Sequence, residues 1–162
     1  QLTDNQLADH LISYWEQHNP EFLSGKPDKQ LVSKIVPLIR DRLKTLADAA
    51  PLVPFFFQDD FPYEVSELIQ SGLSESDTQN ILKLILEKFS QVNSFDSEFL
   101  EIELRALAKS SGYKVGQLLG VIRVATSGLK VSPPLFGSLE ILGKDRVISD
   151  IQRAEKMISK SN

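Results

Sequence analysis

Apolar residues recur along this chain at three- and four-residue intervals, and no segment sustains the alternation of apolar and polar positions that marks a half-buried strand. The pattern predicts an all-α fold. A first helix is expected over about 4–18, with Asp4 as its N-cap and Leu7, Leu11 and Tyr14 on one face. Pro20, Gly25 and Pro27 break it. A second helix starts near Asp28 and carries Leu31, Ile35, Leu38, Ile39 and Leu46, with Pro37 inside it as the place for a kink. The segment APLVPFFFQDDFPYE, 50–64, is too apolar for a flexible linker and reads as a short helix with a packed turn. EVSELIQSG then ends at Gly72, and SESD at 74–77 starts a helix running to about Val92, in which ILKLILEKF reads as buried. Further helices fit 97–110, 114–127, 133–142 and 144–160. The expectation is a helical cage of about eight or nine helices in two packed subdomains, 1–60 and 61–162, joined through the Pro/Phe-rich segment.

The stretch GVIRVATSGLKVSPPLF, 120–136, departs from ordinary amphipathic patterning. On a helical wheel from Val115, the residues Leu118, Leu119, Ile122 and Ala125 share a face and Arg123 falls on its flank. Gly116 and Gly120 lie on the more polar side. A glycine inside a helix costs about 1 kcal/mol against alanine, so two of them point to a close approach to the backbone, most simply by another helix. Gly128 reads as a left-handed stop, and Ser132 followed by Pro133 reads as an N-cap with proline in the first turn. A guanidinium, a hydroxyl and uncapped backbone N–H groups at one corner suit hydrogen bonding to an unpaired nucleobase. Other helix–helix corners offer similar groups, so the pattern alone is not specific.

Composition narrows the classes. With 41% hydrophobic and 25% charged residues the chain has a globular profile, and no apolar run approaches the length of a membrane span. No signal peptide is visible in the polar first residues. The absence of cysteine removes disulfides and thiolate metal sites, and favours the cytoplasm. A net charge of −4 opposes nonspecific nucleic-acid binding. The charge is uneven, however: between Glu103 and Glu140 there is no acid, while Lys109, Lys114, Arg123 and Lys130 fall inside that window. It holds the most basic surface the chain can offer.

With those residues in place, 119–154 (LGVIRVATSGLKVSPPLFGSLEILGKDRVISDIQRA) resembles the C-terminal anticodon-binding region of glutamyl-tRNA synthetases. In that family L-R-V-A-x-T-G is followed by Ser/Thr-Pro-x-L-F and L-x-x-L-G-K-E-R. This chain departs at ATSG, where its threonine precedes Ser127, and at Asp145 in place of glutamate. The segment IRDRLKTLADAAPLVPFFF, 39–57, is similar to the family's R-x-K-T-L stretch and its trailing aromatics.

The resemblance implies a non-catalytic module that binds the anticodon loop of glutamate tRNA. In it, Arg123 and Ser132 would donate to bases, with Pro133 and Leu135 as walls and Lys130 as a further cation. An arginine of the first subdomain would read the last anticodon base; Arg42 is a candidate, placed on the apolar face of its helix, and a structural ion pair is its alternative role. The resemblance further implies a monomeric, cytoplasmic, ATP- and Mg-dependent class I ligase. Its catalytic domain would precede Gln1 in the same chain, and no cofactor, catalytic residue or metal belongs to this piece. A helical protein-interaction or regulatory domain on the same scaffold remains the competing reading.

Other motifs carry little chemistry. KMISKS, 156–161, resembles an ATP-binding loop but has an extra Ile158 and ends an amphipathic helix, so a basic helix end is expected. His10 and His18 have no third ligand in view. Asp59 and Asp60 read as a solvated turn, and Trp15 and Phe55–Phe57 as core.

Overall fold

Side chains that satisfy orphan backbone groups set the helix ends in the structure, a computed structural model that describes residues 1–160. Thr3, rather than Asp4, caps α1 (Asp4–His18): its Oγ1 accepts from the Gln6 N–H at 3.2 Å, and Gln6 Oε1 accepts from the Thr3 N–H at 2.9 Å. Asp4 is the first helical residue and its carboxylate meets Arg40. Asp28 caps α2 (Lys29–Ile39), which contains Pro37. That helix stops well short of Leu46. Arg40 keeps a helical backbone, its N–H on the Val36 carbonyl, while its side chain donates to Asp4 and to the Leu2 carbonyl; short 3₁₀ turns at Arg40–Arg42 and Leu46–Ala49 carry the chain on. α3 (Pro54–Phe57) follows.

Two compact units result, Gln1–Asp60 and the chain from Phe61 onward. In the first, Leu11, Trp15, Ile35, Ile39 and Phe55 are at most 2% exposed. Trp15, Phe22 and Phe57 pack edge to face with centroids 5.4–5.8 Å apart, the arrangement aromatic quadrupoles prefer.

The second unit holds α4 (Val65–Leu68), α5 (Glu75–Gln91), α6 (Ser97–Ser111), α7 (Val115–Ser127), α8 (Leu135–Leu142) and α9 (Lys144–Lys160). The described residues contain no strand. Ile81, Leu82, Ile85 and Phe89 of α5 are fully buried, as the dense run predicts. α7 is the centre: it packs against α4, α5, α6, α8 and α9. Beyond the expected Leu118, Ile122 and Ala125, it also buries Gly120, Val121, Val124, Thr126 and Ser127. A single apolar stripe is therefore too narrow a description. Each fully buried Leu, Ile or Val contributes about 1.5–3 kcal/mol relative to exposure, so this helix anchors the unit. Among the described residues no helix is long and apolar enough to cross a membrane.

Candidate nucleic-acid interface

The stop at the end of α7 is built from its last residues. Thr126 and Ser127 hydroxyls donate back to the carbonyls of Ile122 and Arg123 at 2.8 and 2.6 Å. Ser127 Oγ also accepts from the Leu129 N–H at 3.0 Å. Gly128 follows at φ +71, with its N–H on the Val124 carbonyl at 2.8 Å. Ser127 thus has a local task in the ATSG variation: it closes the helix end.

Gly128 has a second reason to lack a side chain. A Cβ there would lie 2.9 Å from Phe61 Cδ2 and 3.0 Å from the Pro62 carbonyl oxygen. The strap Phe61–Tyr63 is held from the other side by α9. Arg153 donates to the Phe61 carbonyl and stacks on Phe61 and Tyr63 at 4.8 and 5.4 Å, while Arg146, paired with buried Asp150, lies 5.8 Å from the Phe61 ring. Burial pushes the Tyr63 hydroxyl up to about 12, with Arg153 opposing and Asp150 adding to the shift, and among the described residues that hydroxyl has no hydrogen-bond partner.

Beyond the stop, the expected Ser132–Pro133 helix start is not what forms. α8 begins at Leu135 with Pro134 in the cap position, and no side chain caps it. The reason is local: a residue before proline is disfavoured in the helical region, so Pro134 keeps Pro133 out of the helix. Ser132 is buried at 6% exposure and its hydroxyl donates to the Pro133 carbonyl at 2.9 Å. Pro133 and Leu135 are buried as well, Leu135 in the core. Val131, 75% exposed, and Pro134 face outward instead.

Arg123 and Lys130 are brought together. Both line a cleft of about 240 Å³ between α4, the residues after it, and α7, whose other walls are Ser66, Glu67, Ile69, Gln70, Ser71, Gly120 and Val124. Ser132, Pro133 and Leu135 are not among them. Arg123 is half-buried and Lys130 exposed, and among the described residues neither side chain meets a carboxylate. Other cations are engaged: Arg105 with Glu101, Lys88 with Glu103, Arg146 with Asp150. Sequence reasoning did not include Ser66, Glu67 or Gln70. The helix-interior Gly120 was their signal, since the Gln70 carboxamide lies over it; Gly116 faces open space.

Arg42 is exposed in a 3₁₀ turn, and the apolar helix face expected for it does not exist because α2 ends at Ile39. His10 is exposed, and His18 stacks on Tyr14 with rings 4.0 Å apart. Lys156–Lys160 form the last turn of α9; Ser161 of the KMISKS segment lies outside the described residues. Among the described residues no group of three His, Asp or Glu side chains is placed to hold a metal.

Comparison with known proteins agrees with this architecture. The profile of the family described as anticodon binding domain matches residues 6–155. The glutamate–tRNA ligase of Dehalococcoides mccartyi is 32% identical over 158 residues, covering 98% of this chain and 33% of its own length. That of Roseiflexus castenholzii is 34% identical over 162 residues, with 98% and 31% covered. The chain thus spans about a third of the length of the curated relatives it matches. In fold, it is similar to a crystal structure of a glutamate tRNA ligase from Elizabethkingia meningosepticum in complex with its amino acid. The TM-score is 0.77 over 97% of this chain and 30% of that one, at 20% identity.

Proposed function

This chain belongs to the anticodon binding domain family, and from that premise we propose that it is the tRNA-reading part of a glutamate–tRNA ligase. The whole protein would attach glutamate to tRNA at the expense of ATP in the cytoplasm, with catalysis in another part of the polypeptide. This piece contributes selection. Contacts to anticodon bases hold the tRNA so that its distant acceptor end meets the catalytic domain.

One observation supports the reading most: a half-buried, carboxylate-free Arg123 facing a cleft with Lys130 in a chain whose net charge is −4. A guanidinium at a cleft wall with no carboxylate partner is poised for a ligand that supplies acceptors. Arg123 offers its fork to base oxygens and ring nitrogens, and Lys130 meets a phosphate. Ser132, Pro133 and Leu135 shape the adjoining backbone from behind. Arg42, exposed on the first unit, is the position proposed for the last anticodon base.

Titration of the chain with a glutamate-tRNA anticodon stem-loop tests this. Arg123→Ala should weaken binding by about 1–3 kcal/mol and relax sequence preference, whereas Lys130→Ala should weaken all sequences alike. RNA binding that is absent, or indifferent to Arg123→Ala, would refute the proposal.

A further inference from the structure

Gly120 and Gln70 carry an inference that rests on the reading above and goes deeper into the same cleft. Gly120 is buried in α7, and a Cβ there would collide with the Gln70 carboxamide, whose Cδ would stand 2.6 Å away and whose Oε1 would be closer still. Any other residue would push the amide out. Gln70 Nε2 donates to the Glu67 and Leu68 carbonyls at 3.2 and 3.0 Å, so its orientation is set and both amide hydrogens are used. What remains is Oε1, seated over Gly120, an acceptor that takes no hydrogen bond among the described residues; Gln70 lines the cleft that Arg123 and Lys130 share. Glu67 lines the same cleft and adds acceptor character.

A fixed acceptor beside a forked donor selects among bases. Cytosine and adenine present an exocyclic amino donor next to a ring-nitrogen acceptor. Uracil and guanine put a keto oxygen where that amino group stands, and its lone pairs would oppose those of Gln70 Oε1. A site built to accept a hydrogen bond discriminates against a ligand that cannot donate it. At about 240 Å³ the cleft lies below the roughly 300–1,000 Å³ of drug-sized pockets, on the scale of one base.

We propose that Gln70, held by the missing side chain of Gly120, is a specificity-determining residue that accepts from the amino group of an unpaired base, so that the cleft takes cytosine or adenine over their keto counterparts.

The test uses RNA hairpins whose single-stranded loop carries, at each central position in turn, cytidine or uridine and adenosine or inosine. The wild-type chain should favour the amino base at one position by about tenfold. Gln70→Ala and the near-isosteric Gln70→Met should each bring the ratio close to one while leaving affinity for the keto hairpin little changed. Gly120→Ala should do the same, and combining it with Gln70→Ala should cost no more than either alone. Thermal melts by circular dichroism establish that each variant is folded. No amino preference in the wild type, or a preference that survives both Gln70 substitutions, overturns this inference while an Arg123-dependent RNA affinity leaves the proposed function standing. Absence of RNA binding by every hairpin overturns both.

Discussion

A hydroxyl that already donates within its own backbone has less to give a ligand than a guanidinium with no carboxylate partner. Ser132 is in the first position and Arg123 in the second. Ser132→Ala should therefore weaken stem-loop binding by less than about 1 kcal/mol, against about 1–3 for Arg123→Ala, and the two can be compared in one titration series. Tyr63 presents a buried hydroxyl without a partner among the described residues, so Tyr63→Phe should leave neutral-pH stability unchanged or raise it by up to about 1 kcal/mol. Because burial raises the Tyr63 hydroxyl to about 12, the folded state holds that proton after the unfolded chain has lost it. Its contribution to stability is full below pH 10 and disappears as pH rises from there towards 12. Phenolate absorbance should lose its latest step in Tyr63→Phe, and the fall in Tm above pH 10 should shrink. Gly128→Ala meets both a positive φ and the Phe61–Pro62 strap, and should cost at least about 1–2 kcal/mol in denaturant unfolding.

Helix ends in this protein depend on a few side chains, some local and some distant. At the start of α5, Ser74 and Asp77 cap each other. Asp77 is held below the usual carboxylate range chiefly by the Ser74 N–H and next by its hydroxyl. A lowered folded pKa means a contribution present above the unfolded value and lost as pH falls through the folded one. Asp77→Asn should thus be less stable than wild type near neutrality, and the difference should close as melts are taken below pH 3.8. The other end of α5 is closed from afar: Lys144 Nζ donates to the Val92 carbonyl at 2.9 Å and reaches the Ser90 carbonyl at 3.5 Å. This gives the lysine of the LGKDR segment a structural task. Lys144→Met should lower stability by about 1 kcal/mol, read as a fall of a few degrees in Tm. The helix starts at Asp28 and at 74–77 and the stop at Gly128 were legible because the backbone groups satisfied there lie within a few residues. The α8 start was misplaced by two residues because the second proline, which decides it, acts on the first.

For the whole molecule, charge distribution matters more than charge. A net −4 with a window between Glu103 and Glu140 that holds cations and no acid predicts RNA binding with a shallow salt dependence. Removing one cation that neutralises a phosphate, as in Lys130→Ala, should reduce the slope of log K against log salt by roughly 0.7. Period, caps and stops by themselves determined the all-helical class, the extents of α1, α5, α6, α7 and α9 and the stop at Gly128, since each follows from groups three or four residues apart. The family resemblance was legible in the same stretch. Only the tertiary structure decided which groups share a cleft. Gln70 and Gly120 are fifty residues apart, and nothing in either segment names the other. Their meeting follows from α4 packing on α7, where a missing side chain leaves room for an amide. Ser132 is buried while Arg123 lines the cleft, so residues that stand together in the chain are separated in the fold.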